Sequence, residues 1–344
     1  MKRIDNLDWM RALAIIMVLI HHCAQWIPGK PGWLSKLTTQ GEHGVGLFFG
    51  LSGFLIGSLF FHEWKKNESV DIKHFYLRRL TRTLPPYYIM LVVAYGAVWY
   101  MRGEPFDWGY LLFAQNYYEE VPFFLVSWSL AVEEHFYLVL PVFLTLLLHF
   151  VPSRWGHLCV LTIFALIPLT FRYAAPMGDA PFGYAVTATH RNFDFMTFGV
   201  IGAYLYNFVP NVLPAVKNWA VPAIFVVFIY LLSLPWWPSI WEASIGKLGL
   251  AFGFAAICSI SVYARDLPWA KHWITKMIAR TSYATYLTHS LVLHVIVRFQ
   301  DRFFAFPSVI SFAIMIVTSI IVGWGFYEIF ERPIMRWRSR VTKK

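Results

Sequence analysis

Ten apolar stretches, each 16 to 25 residues long, occupy most of this 344-residue chain. They fall near 9–27, 45–62, 84–101, 126–150, 156–173, 194–209, 220–236, 244–263, 282–299 and 307–329. A helix needs about 20 apolar residues to cross a bilayer core, where only helices and closed barrels satisfy their backbone. Continuous apolar runs, rather than alternation, point to helices. The chain is expected to be an all-α polytopic membrane protein: a bundle of about ten transmembrane helices forming one integral-membrane domain over 1–344. No fused soluble domain is expected, because the last span ends close to Lys344. Composition agrees, since 14% of residues are charged, against about a quarter in soluble domains.

A net charge of +10 could mark a nucleic-acid binder, but the positive residues lie mostly between spans. With the N-terminus inside, 21 of 29 Lys and Arg residues fall in the N-terminal tail with Arg11, 63–83, 151–155, 210–219, 264–281 and the C-terminal tail. The other eight are Lys30, Lys36, Arg102, Arg172, Arg191, Lys247, Arg298 and Arg302. This asymmetry predicts an even number of spans and cytoplasmic N- and C-termini, with no nucleic-acid partner. Cys23, Cys159 and Cys258 lie in apolar runs, which argues against a disulfide framework. Lys2 and Arg3 precede the first run as in a signal peptide. No small-residue cleavage site follows His22, so the run is expected to be retained.

The spans carry chemistry at a few places. Arg11 and His22 are 11 residues apart, a net rotation of about 20° and a rise of roughly 16 Å, so they share one helical stripe. A charge and an imidazole on one face of a membrane helix suggest a site. His21 points about 100° away, and Asp8 is spaced to pair with Arg11. In the second span Gly44, Gly46, Gly50 and Gly53 leave one face nearly bare, which favours close helix packing over passage of a ligand. The run Phe75–Tyr88 has two readings. It is either a positive anchor before a proline-started span, or a face on which Arg79 and Arg82 hold a phosphate-rich ligand. Glu133 and Glu134 inside the fourth span read either as partners of an arginine or as acid/base or orienting carboxylates. Arg191 beside Asp194 reads as a structural pair, and His289 as a helix-to-helix hydrogen bonder. Glu331-Arg332-Pro333 reads as a membrane exit that limits the helix.

In their order, these motifs resemble membrane acyltransferase family 3, which includes bacterial O-acetyltransferases of lipopolysaccharide, peptidoglycan, exopolysaccharide and some antibiotics. The resemblance is carried by Leu7-Asp8-Trp9-Met10-Arg11 through His22, by Val45 to Phe54, and by Arg79-Leu80-Thr81-Arg82 before paired prolines. It continues through Trp128-Ser129-Leu130-Ala131-Val132-Glu133-Glu134, with weaker echoes at Arg191 to Gly199, Ser282 to His289 and Glu331-Arg332-Pro333. One departure stands out: many members have an aspartate where this chain has Gly46, a role that would pass to Glu42 or His43.

The resemblance implies transfer of an acyl group, usually acetyl, from acyl-CoA to a hydroxyl of a glycan or small-molecule acceptor. It implies a multi-pass protein of the bacterial inner membrane, with acetyl-CoA as co-substrate and no permanently bound cofactor. A hydroxyl needs a base near neutrality, which a histidine supplies, and His22 is the candidate. Arg11, Glu134 and Glu133 complete the catalytic set, the glutamates orienting His22. Arg78, Arg79, Arg82 and Tyr76 are the candidate donor residues. His21, Trp128, Ser129, Asp194, Arg191 and His289 are candidates for the acceptor side or for support. The topology sets the arginines inside and His22 outside, so direct transfer across the membrane is expected. A transporter or flippase for a lipid-linked or small glycan is the rival, disfavoured by the lack of paired, broken half-symmetric helices. Buried charges disfavour a purely structural subunit, and no HExxH or Cys/His cluster points to metal catalysis.

Overall fold

The computed structural model describes residues 4–27, 40–174, 183–209, 211–233, 241–264, 267–303 and 308–341, and among them there is no strand. Lys30, Lys36, residues 234–236 of the seventh predicted span and residue 307 of the tenth lie outside the described residues, as does the side chain of Glu42. Each apolar stretch falls on a helix: α1 (Asp5–Gln25), α2 (Gly44–Asn67), α3 (Ile72–Arg102), α4 (Ser127–Phe150) and α5 (Arg154–Ala174). Then follow α6 (Asp194–Phe208), α7 (Ala220–Ser233), α8 (Lys247–Ser261), α9 (Trp273–Phe303) and α10 (Ser308–Phe326). Among the described residues seven helical segments are long and apolar enough to cross a membrane, namely α1 to α5, Ser244–Ser261 and Val309–Arg340. By contrast α6 and α7 have 15 and 14 residues, and α9 carries Thr, Ser, Tyr and His side chains through its middle.

Val92, Leu138, Ile163, Val226, Ile229, Val295 and Ile321 are exposed on these helices. So broad an apolar surface would be a liability in water and is the expected face toward lipid.

The glycines of α2 do what the packing reading asks. A Cβ on Gly53 would lie 2.0 Å from the Met196 carbonyl oxygen, and one on Gly199 2.3 Å from that of Gly50. The backbones of α2 and α6 thus touch where both lack side chains, as small residues permit between membrane helices. Phe49, Phe54, Phe195, Met196, Val200 and Phe254 fill the core beside that contact. A second core joins α1, α3 and α9 through Ile15, Val18, Leu19, Tyr87, Leu91 and Leu287.

Two sequence expectations change here. The third span does not start at its prolines: α3 begins at Ile72, where the Asp71 carboxylate accepts from the His74 N–H at 2.9 Å, and Pro85 and Pro86 lie inside it. The interior prolines remove two N–H donors, and nearby the Tyr283 hydroxyl donates to the Thr83 carbonyl at 2.8 Å. Likewise Pro333 does not end the tenth helix. A π-type turn, Tyr327–Glu331, leads on into α11 (Arg332–Val341), with Pro333 in its first turn, where a missing N–H is tolerated.

The connection from α3 to α4 decides the site. The Tyr87 and Tyr88 hydroxyls donate to the carbonyls of Tyr110 and Leu111, at 2.8 and 3.0 Å. Those tyrosines lie 14 or 15 residues before the end of α3, roughly 20 Å back along the helix at ~1.5 Å per residue. The loop therefore folds back beside α3, and α4 starts deep in the bundle. Ser127, its first residue, is wholly buried and bonded by Gln115 at 3.1 Å.

Candidate active site

Two cavities lie along α1. The one toward the start of α1, termed inner for that position on the helix, is about 140 Å³ and is lined by Arg11, Ser52, Arg79, Arg82, Ser129 and Glu133, among others. The outer one, about 740 Å³, is lined by His21, His22, His43, Trp128, Lys247 and His294, among others. Val45, Phe49 and Tyr286 line both. Arg11 and His22 therefore open onto different chambers, as their separation along one helical stripe requires.

At the inner chamber Arg79 is held tightly. Its guanidinium lies 3.6 Å from Glu133 and 3.4 Å from Ser52 Oγ, donates to the Tyr137 hydroxyl, and sits 3.8 Å from the centre of the Tyr137 ring. Glu134 lies beside Thr83 and Arg79. Arg82, one turn on, lines the same chamber but makes no ion pair within 4.0 Å among the described residues; it faces Glu331, which is buried. Arg11 is 3.5 Å from Asp8, the pairing that the spacing predicts. Arg78 turns away to Glu63 at 3.0 Å, and the Tyr76 hydroxyl donates to the Leu138 carbonyl at 2.5 Å. Neither lines the chamber, so of the four donor candidates the fold brings only Arg79 and Arg82 to it.

The glutamates were expected at His22. The structure holds them instead at the inner chamber: the folded-back loop sets the start of α4, at Val126 and Trp128, in the outer chamber wall, and Glu133, about a turn and a half further on, reaches Arg79. Tyr137, one turn after Glu133, and Ser52 complete that polar cluster. Neither was singled out from the sequence, although the i, i+4 spacing of Glu133 and Tyr137 is a usable signal.

Around the outer chamber, the ring of His22 lies 5.0 Å from that of His21 and 5.0 Å from that of His289. His21 Nε2 is 2.9 Å from Gln25 Nε2. Trp128 packs edge-on against Phe49. Ser129 Oγ lies 2.7 Å from the Tyr286 hydroxyl, which also donates to the Val126 carbonyl at 3.0 Å, so the divide between the chambers is a braced tyrosine.

Asp194 departs from expectation. Its partner is Arg172, at 2.5 Å, and Arg172 also donates to the Arg191 carbonyl at 3.0 Å. Arg191 is itself buried. Burial and the neighbouring Arg191 hold His190, in the short turn Thr189–Arg191, below the usual imidazole range.

The fold and the two chambers define a helical membrane protein with two cavities in its bundle, arginines lining one and histidines the other. The family model described as an acyltransferase domain, acyltransferase family 3, matches residues 4–328. The chain belongs to that family. It is 33% identical over 171 residues to the peptidoglycan O-acetyltransferase OatA of Listeria monocytogenes, covering 44% of this chain and 26% of the relative. It is 29% identical over 332 residues, 85% of this chain and 51% of the relative, to a Staphylococcus aureus (strain COL) protein named provisionally as an O-acetyltransferase. The O-acetyltransferase OatA of Staphylococcus aureus (strain NCTC 8325) is 31% identical over 170 residues, 43% of this chain and 26% of the relative. The chain thus spans between a quarter and half of the length of these relatives. No solved structure gives a significant match.

Proposed function

We propose that the chain is a membrane O-acetyltransferase that moves an acetyl group from cytoplasmic acyl-CoA to a hydroxyl of a glycan or other small acceptor, reached from the far side of the membrane. In this reading ten helices cross a bacterial inner membrane with both termini inside. The observation that carries it is the pair of chambers, cationic and imidazole-lined, with Val45, Phe49 and Tyr286 lining both. The donor's phosphates meet Arg82 and Arg11 at the inner chamber, and its flexible arm carries the thioester outward. His22 takes the proton of the acceptor hydroxyl as the new C–O bond forms and the C–S bond breaks. The departing thiolate receives that proton, so the enzyme ends unchanged. Trp128 and Phe49 offer flat apolar faces for an acceptor ring.

The test uses sealed inside-out vesicles supplied externally with acetyl-CoA. Thiol release outside together with acetylation of glycan in the lumen is the expected result. Acetyl-CoA left intact, both here and with protein in detergent, would favour a transporter and end the proposal. The two arginines should separate kinetically. Arg82→Ala loses charge-assisted bonds worth about 1.5–3 kcal/mol, seen as roughly a ten- to hundredfold rise in KM for acetyl-CoA. Arg79→Ala also strands Glu133, so it should lower the unfolding midpoint as well. Equal effects of both on stability would contradict this division of labour.

A further inference from the structure

His289 is wholly buried and does not line the outer chamber, whereas His22, its neighbour, does. Its Nδ1 is 2.7 Å from the Tyr286 carbonyl oxygen and 3.3 Å from that of Thr285. A carbonyl accepts only, so Nδ1 carries the hydrogen and Nε2 of the neutral ring is left with a lone pair. That Nε2 is buried without a hydrogen-bond partner. A buried acceptor left unsatisfied is costly. The ring beside it, 5.0 Å away centre to centre, is that of His22, close enough for a turn of the His22 ring to bring one of its nitrogens onto His289 Nε2.

A base histidine needs something to fix its tautomer, commonly a carboxylate or a carbonyl. The lining of the outer chamber includes His21, His43, His294 and Lys247 but, among the described side chains, no carboxylate; its Gln25 amide, beside His22, is shared with His21. Nor can a carboxylate be supplied from position 46, where a Cβ would already lie 2.5 Å from Cε1 of Phe195. Glu133 is engaged by Arg79, and Glu134 lies beside Thr83.

From this geometry we infer that His289 is a positioning residue of His22: with the His22 ring turned toward it, its Nε2 accepts the His22 N–H and holds the other His22 nitrogen, as a lone pair, toward the acceptor hydroxyl. The inference rests on the reading of His22 as the base. His289 takes no proton in the reaction. It selects the tautomer, and the Tyr286 and Thr285 carbonyls select its own. The pair is thus aligned by α9 backbone, which ties the base of α1 to the helix whose Tyr286 forms the divide between the chambers.

The test compares full-length His289→Leu, His289→Gln and His22→Ala proteins in detergent with acetyl-CoA. His289→Leu should lower kcat about ten- to a hundredfold, the range seen when a group orienting a metal-bound imidazole is removed, with KM for acetyl-CoA unchanged. His289→Gln, whose amide oxygen can replace the acceptor, should recover most of it. The pH dependence of kcat/KM should move in the leucine variant and return in the glutamine one. The ionisable groups around the pair are His21 on α1, Tyr286 on α9, and His43, Lys247 and His294 in the chamber wall; α10 brings none between Ser308 and Phe326. All are common to the three proteins, so the difference isolates His289. Ring nitrogen-15 shifts of His22 should show one tautomer in the parent and a mixture in His289→Leu. Full turnover with an unchanged pH profile in His289→Leu, alongside an inactive His22→Ala, overturns this inference alone. A mixed His22 tautomer in the parent does the same even if the leucine variant does not fold. Activity in His22→Ala instead overturns the base assignment beneath it.

Discussion

His22→Ala should abolish acetyl transfer while the protein stays folded. General-base assistance contributes about 10²- to 10⁴-fold, and without it a hydroxyl at neutral pH has no group at this position to take its proton. The fold should survive because α1 is anchored elsewhere: Met10, Ala14, Ile15, Val18 and Leu19 are buried, while the His22 side chain lines a chamber. The measurement is thiol release from acetyl-CoA by purified protein, set beside its size-exclusion profile and thermal midpoint. His21→Ala is the companion variant. Its ring bonds Gln25 on its own helix, so its loss should cost far less. Near-normal turnover in His22→Ala would move the base to another histidine of the chamber, His43 or His294.

The second large effect concerns stability. Arg172→Met should cost about 3–5 kcal/mol, because it leaves the Asp194 carboxylate buried without its partner. Both side chains are almost completely inaccessible, at 1% and 0% exposure, and Asp194 Oδ1 has no hydrogen-bond partner in the structure. The pair clamps the end of α5 to the start of α6, next to Asn192 and Phe195 of the outer chamber wall. Activity should therefore fall along with the midpoint of thermal or detergent-induced unfolding. Adding Asp194→Leu to Arg172→Met removes the stranded charge and should restore much of the stability, since a buried ion pair replaced by apolar side chains is often nearly neutral. An unchanged midpoint in Arg172→Met would show that the pair contributes nothing.

Much of the molecule is legible before any coordinates. The apolar runs identify the helices, because in lipid each backbone must close its own hydrogen bonds. The spacing of Arg11 and His22, and of Arg79 and Arg82, correctly assigns side chains to faces, since that depends only on the pitch of one helix. The bare face of α2 likewise predicts its close approach to another helix. Helix ends were less legible: α3 starts thirteen residues before the first of its prolines, because Asp71 caps it there and the interior prolines are tolerated within a packed bundle.

Partnerships between helices were the part that sequence spacing could not supply. Asp194 is three residues from Arg191, yet it pairs with Arg172 on the preceding helix, a choice made by how α5 and α6 cross. Glu133 and Glu134 were counted from the outer end of their span. The loop from α3, drawn inward by the Tyr87 and Tyr88 hydroxyls, lowers α4 so that these carboxylates meet Arg79 instead of His22. The sequence by itself determined which residues share a helical face and that the chain spans a membrane, because both follow from local geometry and solvent. Only the tertiary structure decided the depth at which each helix begins, and with it that the ring of His289, rather than a glutamate, lies beside that of His22.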